Sequence, residues 1–338
     1  MADYDFVAIG DIVTDAFIRL AVADEHVDHE TRELCVPFAT KIPFESVTEV
    51  VAVGNCANAA YSAARLGLTS ALVSNQGDDE IGKKQRAKLV EEHVGDEFVI
   101  DHAGMKSNYH YVLWYKDERT ILVKHEDYPY TMPDIGEPKW LYLTSLGSKS
   151  LDFHKQIAEY LAVHPAINLV FQPGTFQIKL GMKLTELYKR SKIFFCNVEE
   201  AREILGMATP PAGVGDSRDK EVVELMKALR NLGPEIICVT DGPKGAYALD
   251  GKSGEAYFMP PYPDEAPPYD RTGAGDAFAS TFTSAIALGK TVSEALAWAP
   301  INSMSVVQKV GAREGLLSRE KLEKYLSNAS ADYKPRAL

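Results

Sequence analysis

Residues 269–280 read Y-D-R-T-G-A-G-D-A-F-A-S, and a run of small and apolar residues continues from there to Leu288. Such a run is that of a buried helix. Gly273 and Gly275 stand one residue apart immediately before it. They leave backbone N–H groups that no Cβ covers, at the end where the helix dipole is positive, so an anion can settle there without a lysine. Asp276 falls in the first turn, where the dipole favours its ionised form. A base beside a phosphate cradle points to phosphoryl transfer. A plain loop with a capping aspartate uses the same residue types, so the glycine pair alone does not separate the two readings.

The full string is more specific. D-R-T-G-A-G-D-A-F resembles the C-terminal signature of the ribokinase-like, or PfkB, carbohydrate kinases, whose usual form is D-T-T-G-A-G-D-A/S-F. Arg271 replaces the commoner threonine, outside the glycine pair and the aspartate.

Composition sets the frame. The 338 residues suffice for two domains or for one large α/β domain with an insertion. With 46% hydrophobic and 25% charged residues the chain is an ordinary globular one. No stretch approaches the ~18 consecutive apolar residues of a membrane span, so no membrane partner is expected. The 36 basic and 48 acidic residues give a formal charge of −12 without a basic run, which disfavours nucleic acid as a partner. M-A-D-Y-D-F-V-A-I-G lacks the features of a secretory signal, and a cytoplasmic location is expected. Cys35, Cys56, Cys196 and Cys238 form no C-x-x-C pair, which suits a reducing compartment and argues against structural zinc. His26, Asp28, His29 and Glu30 have the residue types of a metal site, but H-x-x-H in an acidic loop is more simply a solvated turn.

Outward from the signature, the chain alternates strand and helix patterns. Residues 5–9 read as a parallel strand followed by Asp11 and Asp15, at the strand end where α/β ligands bind; a solvated turn would carry the same aspartates. G-D-I-V-T-D resembles the family's opening motif, in which the aspartate at the position of Asp15 contacts acceptor hydroxyls. V-G-N-C-A-N-A-A-Y-S-A-A-R-L-G, residues 53–67, is a helix from about Asn55 to a C-cap at Gly67. It resembles the family's G-G-x-x-x-N and A-R-L-G signature, with Gly54 and Asn58 on acceptor-binding positions and Val53 where the first glycine is usual. Residues 17–50 are β-type without a helical period, and 108–115 with 120–125 form a hairpin whose first strand carries Tyr109, Tyr111, Trp114 and Tyr115.

From Trp140 onward, strands at 140–143, 167–171, 192–195 and 235–240 alternate with helices near 151–163 and 178–189, the pattern of a parallel, doubly wound sheet. Asn197-Val198-Glu199-Glu200 follows one strand end and is either a helix start or a site. Its resemblance to the family's N-x-x-E motif implies that Asn197 and Glu200 hold water-bound Mg2+ near the phosphates. The turn at 241–245 either admits nucleotide phosphate or merely closes a hairpin. Resemblance to the family's V-T-x-G-x-x-G-A turn puts Thr240, Gly242 and Gly245 beside the nucleotide. Five prolines in 260–268 make a rigid connector. Residues 292–310 read as a helix kinked at Pro300, 318–326 as a closing helix, and the last residues as frayed.

These motifs run in order from Gly10 to Ala312 and imply the ribokinase-like fold. That fold is α/β, a doubly wound, mostly parallel sheet with helices on both faces, formed here by residues 1–11, 51–104 and 127–330. A small β lid from residues 12–50 and 105–126 is inserted into it. The resemblance implies an ATP-dependent kinase that transfers the γ-phosphoryl group, as a Mg2+ complex, to a hydroxymethyl group of a sugar or sugar-like substrate. Asp276 then accepts the hydroxyl proton, and amides of Ala274, Gly275 and Asp276, beyond the turn at Gly273, stabilise charge on the transferred group. It further implies a monovalent-cation site, for K+, at main-chain carbonyls around Asp270 and Thr272, and a homodimer formed through the lid. One rival is a nucleoside kinase of the same fold, whose aromatic lid strand would stack on a base. Another is a non-catalytic sugar or nucleotide sensor, against which the intact Asp276, Asn197 and Glu200 speak. A nicotinamide-dependent dehydrogenase would need G-x-G-x-x-G after the first strand, and Gly10-Asp11-Ile12 does not begin one.

Overall fold

Strands buried on both faces read as continuous apolar runs, and Phe6–Ile9 and Trp140–Leu143 are buried at every residue. They lie at the middle of the main sheet in the computed structural model, which describes residues 3–21, 27–28, 33–115, 118–208 and 218–338. Phe6–Ile9 pairs in parallel with Trp140–Leu143 on one side and Ser70–Gly77 on the other. Parallel pairing continues from Trp140–Leu143 through Asn168–Phe171, Ser191–Asn197 and Ile236–Thr240. Ala246–Asp250, Ala256–Met259 and Arg336–Ala337 then add antiparallel strands at that edge. The chain is α/β with a doubly wound, mostly parallel sheet, as its alternating patterns predict.

Successive residues of a strand serve opposite layers. Phe6 and Ala8 join a core with Ala57, Phe278, Phe282 and Trp298, while Val7 and Ile9 join one with Phe153, Leu187 and Met226. Helices Asn55–Arg65, Ala274–Ala287 and Val292–Val306 therefore cover one face, and Leu151–Val163, Thr185–Arg190 and Arg218–Arg230 the other. Small side chains bring the first two helices close enough for the hydroxyls of Ser62 and Thr281 to stand 3.5 Å apart.

Glu118–Leu122, Tyr109–Tyr115, Val13–Leu20 and Phe44–Val53 make a separate sheet. Its register sorts two faces. Asp15 pairs with His110, Phe17 with Val112, and Arg119 with Trp114, so these side chains share one face. Ile18, Val47, Tyr111, Leu113 and Leu122 share the other, on which Val47, Tyr111 and Leu122 are exposed. Val53 pairs with Val13 and is buried with Phe17, Val112 and Trp114 in this sheet's own core, which explains a valine where the family motif has glycine. The edge of Trp114 meets Tyr269 at 5.1 Å between ring centroids, which ties the small sheet to the loop entering the signature helix.

Three expectations need correction. The helix expected near 178–189 is broken into Thr175–Leu180, a 3-10 turn Gly181–Leu184, and Thr185–Arg190, because Gly181 adopts φ 52° and interrupts the ladder. The helix containing Pro300 ends at Val306, where the N–H groups of Tyr269 and Asp270 both reach the carbonyl of Val307. The C-terminal residues are not frayed. Tyr333 is buried and donates to the carbonyl of Ala297 at 2.7 Å, and Arg336–Ala337 pairs with Tyr257 and Phe258. His26, His29 and Glu30 lie outside the described residues. Among the described residues no helix is long and apolar enough to cross a membrane.

Candidate active site

The signature loop is fixed before its helix begins. One oxygen of Asp270 accepts from the N–H and the hydroxyl of Thr272, and the other accepts from the N–H of Gly311 at 2.8 Å. Gly273 then turns the chain at φ 79° as the N-cap of Ala274–Ala287. A Cβ there would collide with that of Ala312, so the position demands glycine on two counts. Ala277 donates to the carbonyl of Gly273 at 2.8 Å, leaving the amides of Ala274, Gly275 and Asp276 as the unpaired first turn. Gly275 has helical backbone, and a Cβ added to it would meet nothing within 4 Å.

Asp276 is buried, and its carboxylate is surrounded by side-chain amides. Asn55 donates to Oδ1 at 3.0 Å, Gln172 to the same oxygen at 3.2 Å, and Asn58 to Oδ2 at 2.9 Å. Burial pushes the carboxyl above its ordinary range, while the amides of Asn58, Gln172 and Asn55 and the charge of Arg119 pull it back. Asn55 and Gln172 were missed in the sequence. Asn55 stands one helical turn before Asn58, and Gln172 directly follows the strand Asn168–Phe171, so spacing and strand-end position were the available signals.

Asp276 opens on a cavity of about 600 Å³ that is also lined by Asp15, Asn58, His110, Arg119 and Lys179. Asp15 Oδ1 is buried without a hydrogen-bond partner and faces Nδ1 of His110 at 3.4 Å. Asn58 spends its amino group on Asp276 and keeps Oδ1 buried and unpaired. Gly54 has φ 103°, and a Cβ would press on the carbonyl oxygen of Asp11, so backbone conformation and close approach both require this glycine without any ligand. Asp11 itself is occupied by the hydroxyl of Tyr130 at 2.9 Å and the N–H of Gly147 at 2.7 Å, which leaves Asp15 as the aspartate open to a ligand.

On the other side of Gly275, Thr240, Gly242 and Gly245 line a cavity of about 480 Å³ whose walls include Pro261, Pro300 and Met304. Between the two lies a smaller space of about 250 Å³ bounded by Gln172, Asn197, Glu200 and Thr240. Gly275 borders all three cavities. Asn197 and Glu200 form a reciprocal capping box: Asn197 Oδ1 accepts from the N–H of Glu200, and Glu200 Oε2 accepts from the N–H of Asn197, both at 2.8 Å. They are thus a helix start that also walls the middle cavity. Burial pushes the Glu200 carboxyl up, the N–H of Asn197 lowers it, and the charges of Glu199, Glu203 and Asp276 raise it further. Among the described residues no three His, Cys, Asp or Glu side chains converge as a direct metal site.

The sequence model of the pfkB family carbohydrate kinases matches residues 35–319. This chain belongs to that family. An uncharacterized sugar kinase of Archaeoglobus fulgidus is 26% identical over 263 residues, covering 75% of this chain and 96% of its own. Ribokinase of Haemophilus influenzae is 23% identical over 306 residues, covering 88% and 95%. Among solved structures, Arabidopsis thaliana ribokinase complexed with ribose and ATP superposes with a TM-score of 0.76 at 20% identity, covering 96% of this chain and 99% of that one. The fold is therefore ribokinase-like. Within the family's signature, Arg271 replaces a small polar residue and lines both the 480 Å³ and the 600 Å³ cavities.

Proposed function

We propose that this chain is an ATP-dependent kinase that phosphorylates a hydroxymethyl group of a sugar or sugar-like acceptor. The observation that carries the reading is the junction at Gly275, which borders all three cavities, with the carboxylate of the next residue, Asp276, lining the 600 Å³ one. The acceptor occupies the 600 Å³ cavity, with Asp15 and the unpaired Oδ1 of Asn58 on its hydroxyls. The nucleotide occupies the 480 Å³ cavity beside Thr240, Gly242 and Gly245. Asp276 takes the proton of the attacking hydroxyl as its oxygen bonds to the γ-phosphorus and the bond to ADP breaks. Amides of Ala274, Gly275 and Asp276 offset the charge on the transferred group, fixed in place before it arrives.

Asn197 and Glu200 would hold magnesium through water. A buried carboxylate pushed up by burial and by neighbouring carboxylates gains from a hydrated cation, and no direct all-protein cage competes among the described residues. That cation supplies charge neutralisation on the phosphates. A monovalent cation near Asp270 and Thr272 would be held by main-chain carbonyls, with the Asp270 carboxylate committed to the loop through the N–H and hydroxyl of Thr272 and the N–H of Gly311.

The small sheet is read as a lid, because Asp15, His110 and Arg119 on one of its faces line the acceptor cavity. Its opposite face, with Val47, Tyr111 and Leu122 exposed, is where two copies would pair. The aromatics of the lid strand favour a sugar over a nucleoside. Tyr109, Tyr111 and Tyr115 alternate onto the outer face, and Trp114 is buried against Phe17 and Tyr269, so none is presented to stack on a base. The test is ADP release measured across sugars, sugar acids and nucleosides. Acceptor-dependent release with a sugar class supports the reading; ATP binding without release for any acceptor would favour a sensor.

A further inference from the structure

Acidic residues outnumber basic ones 48 to 36 in this chain, yet the wall of the acceptor cavity is cationic. Arg119, Lys179 and Arg271 line it with His110 and His125, against the carboxylates of Asp15 and Asp276. Those carboxylates do not use up the positive charge. Asp276 accepts from three neutral amides, and Asp15 faces His110. His125 in turn lies 3.0 Å from Asp11.

Arg119 acts on Asp276 through its charge but makes no ion pair with a described residue. Its Nε is buried without a hydrogen-bond partner, although a guanidinium keeps its charge and its fork of donors at any physiological pH. Lys179 adds a second cation from the helix Thr175–Leu180 and joins no ion pair among the described residues. The phosphates of the nucleotide do not account for Arg119 or Lys179. Both are absent from the linings of the nucleotide cavity and the middle cavity, whereas Arg271 borders nucleotide and acceptor alike. A neutral sugar offers an arginine only hydroxyls; a carboxylate or phosphate accepts from its fork in charge-assisted bonds.

Resting on the kinase reading above, we propose that the acceptor carries an anionic group, a carboxylate or a phosphate, besides the hydroxymethyl group that is phosphorylated, and that Arg119 and Lys179 hold it. A cavity of about 600 Å³ has room for a sugar with such a substituent. Arg119 sits on the inner face of the small sheet and Lys179 on a helix of the main domain, so an anion between them also draws the lid onto the acceptor.

The test pairs neutral with anionic acceptors, glucose with gluconate and fructose with fructose 6-phosphate. Acceptor-dependent ADP release and calorimetric binding are measured for wild type, Arg119→Gln and Lys179→Gln. An anionic acceptor is expected to bind and turn over with a KM about tenfold or more below its neutral partner, the effect of a charge-assisted hydrogen bond. Each substitution then removes that advantage, raising KM for the anionic acceptor about tenfold more than for its neutral partner, whatever kcat the variant keeps. Gluconate against fructose 6-phosphate separates carboxylate from phosphate. Equal KM values within each wild-type pair, or a KM rise in Arg119→Gln that is the same for neutral and anionic acceptors, overturns the proposal while leaving the kinase standing. Absence of ADP release with every acceptor counts instead against the kinase. In that case Arg119-dependent calorimetric binding of gluconate or fructose 6-phosphate still upholds the anion site, and its absence overturns it.

Discussion

Nδ2 of Asn58 lies 2.9 Å from Oδ2 of Asp276, across 218 positions of sequence. The side chain expected to hold the acceptor thus holds the base, and only its carbonyl oxygen remains for a substrate hydroxyl. The amide matters because it favours the ionised form of a carboxyl that burial pushes the other way.

Replacing Asn58 by Leu removes that amide, so the Asp276 carboxyl rises further. A base works only when ionised, and kcat/KM falls as pH drops through its pKa. The acid limb of the profile should therefore move to higher pH in Asn58→Leu. Stability follows the same sign. With a folded-state pKa above the ordinary carboxylate value, the fold loses stability as pH rises between the two, and more so in the variant. An acid limb that stays in place while KM rises would mean that Asn58 serves the acceptor alone.

The signature glycines should respond in opposite ways. Gly273→Ala meets both a left-handed backbone and the Cβ of Ala312, and it should lose about 1–3 kcal/mol of stability. Gly275→Ala places a methyl in open space on a helical backbone, and stability should hold or rise by up to about 1 kcal/mol. The methyl nevertheless stands where three cavities meet, so kcat/KM should fall by roughly 10²-fold, as for reacting groups displaced by ~1 Å. Thermal melts and ADP release on the same samples decide it. A stable Gly275→Ala enzyme with full activity would mean that nothing reacts at that junction.

Glu200→Gln separates a cap from a cation site. Glutamine can keep the capping box with Asn197, so melting should change little. Loss of the charge should raise the Mg2+ concentration for half-maximal activity by about 10–100-fold, as for other outer ligands. Unchanged magnesium dependence would leave Glu200 as a cap only.

Asp15→Ala should weaken acceptor binding by ~1–3 kcal/mol, since it strips a partner from buried hydroxyls. ATP affinity should stay put in calorimetry. Equal loss of both affinities would assign Asp15 a structural role.

Much of this was legible because it is local. The glycine pair, the aspartate in the first turn and the apolar run after it all sit within residues 269–288, and each has a physical meaning at its own spacing. The buried parallel strands were legible for the same reason. What joins distant elements was not. Gln172 reaches Asp276 across 104 positions, and its place at a strand end does not say which residue it reaches. Arg119 and His110 face the cavity only because of the pairing register of the small sheet, which alternation alone does not orient toward a partner. Arg336–Ala337 is too short to show a period, and its place is set by Tyr333 and by the edge of Ala256–Met259.

The most direct measurement is kcat of Asp276→Asn against wild type, with folding checked by thermal melting and ATP affinity by calorimetry. Asparagine keeps the size of the side chain and can still accept a capping hydrogen bond, but it cannot take a proton. Catalysis by Asp276 predicts a loss of ~10²–10⁴-fold in kcat with ATP affinity nearly unchanged. A folded variant that retains more than about a tenth of wild-type turnover would contradict it.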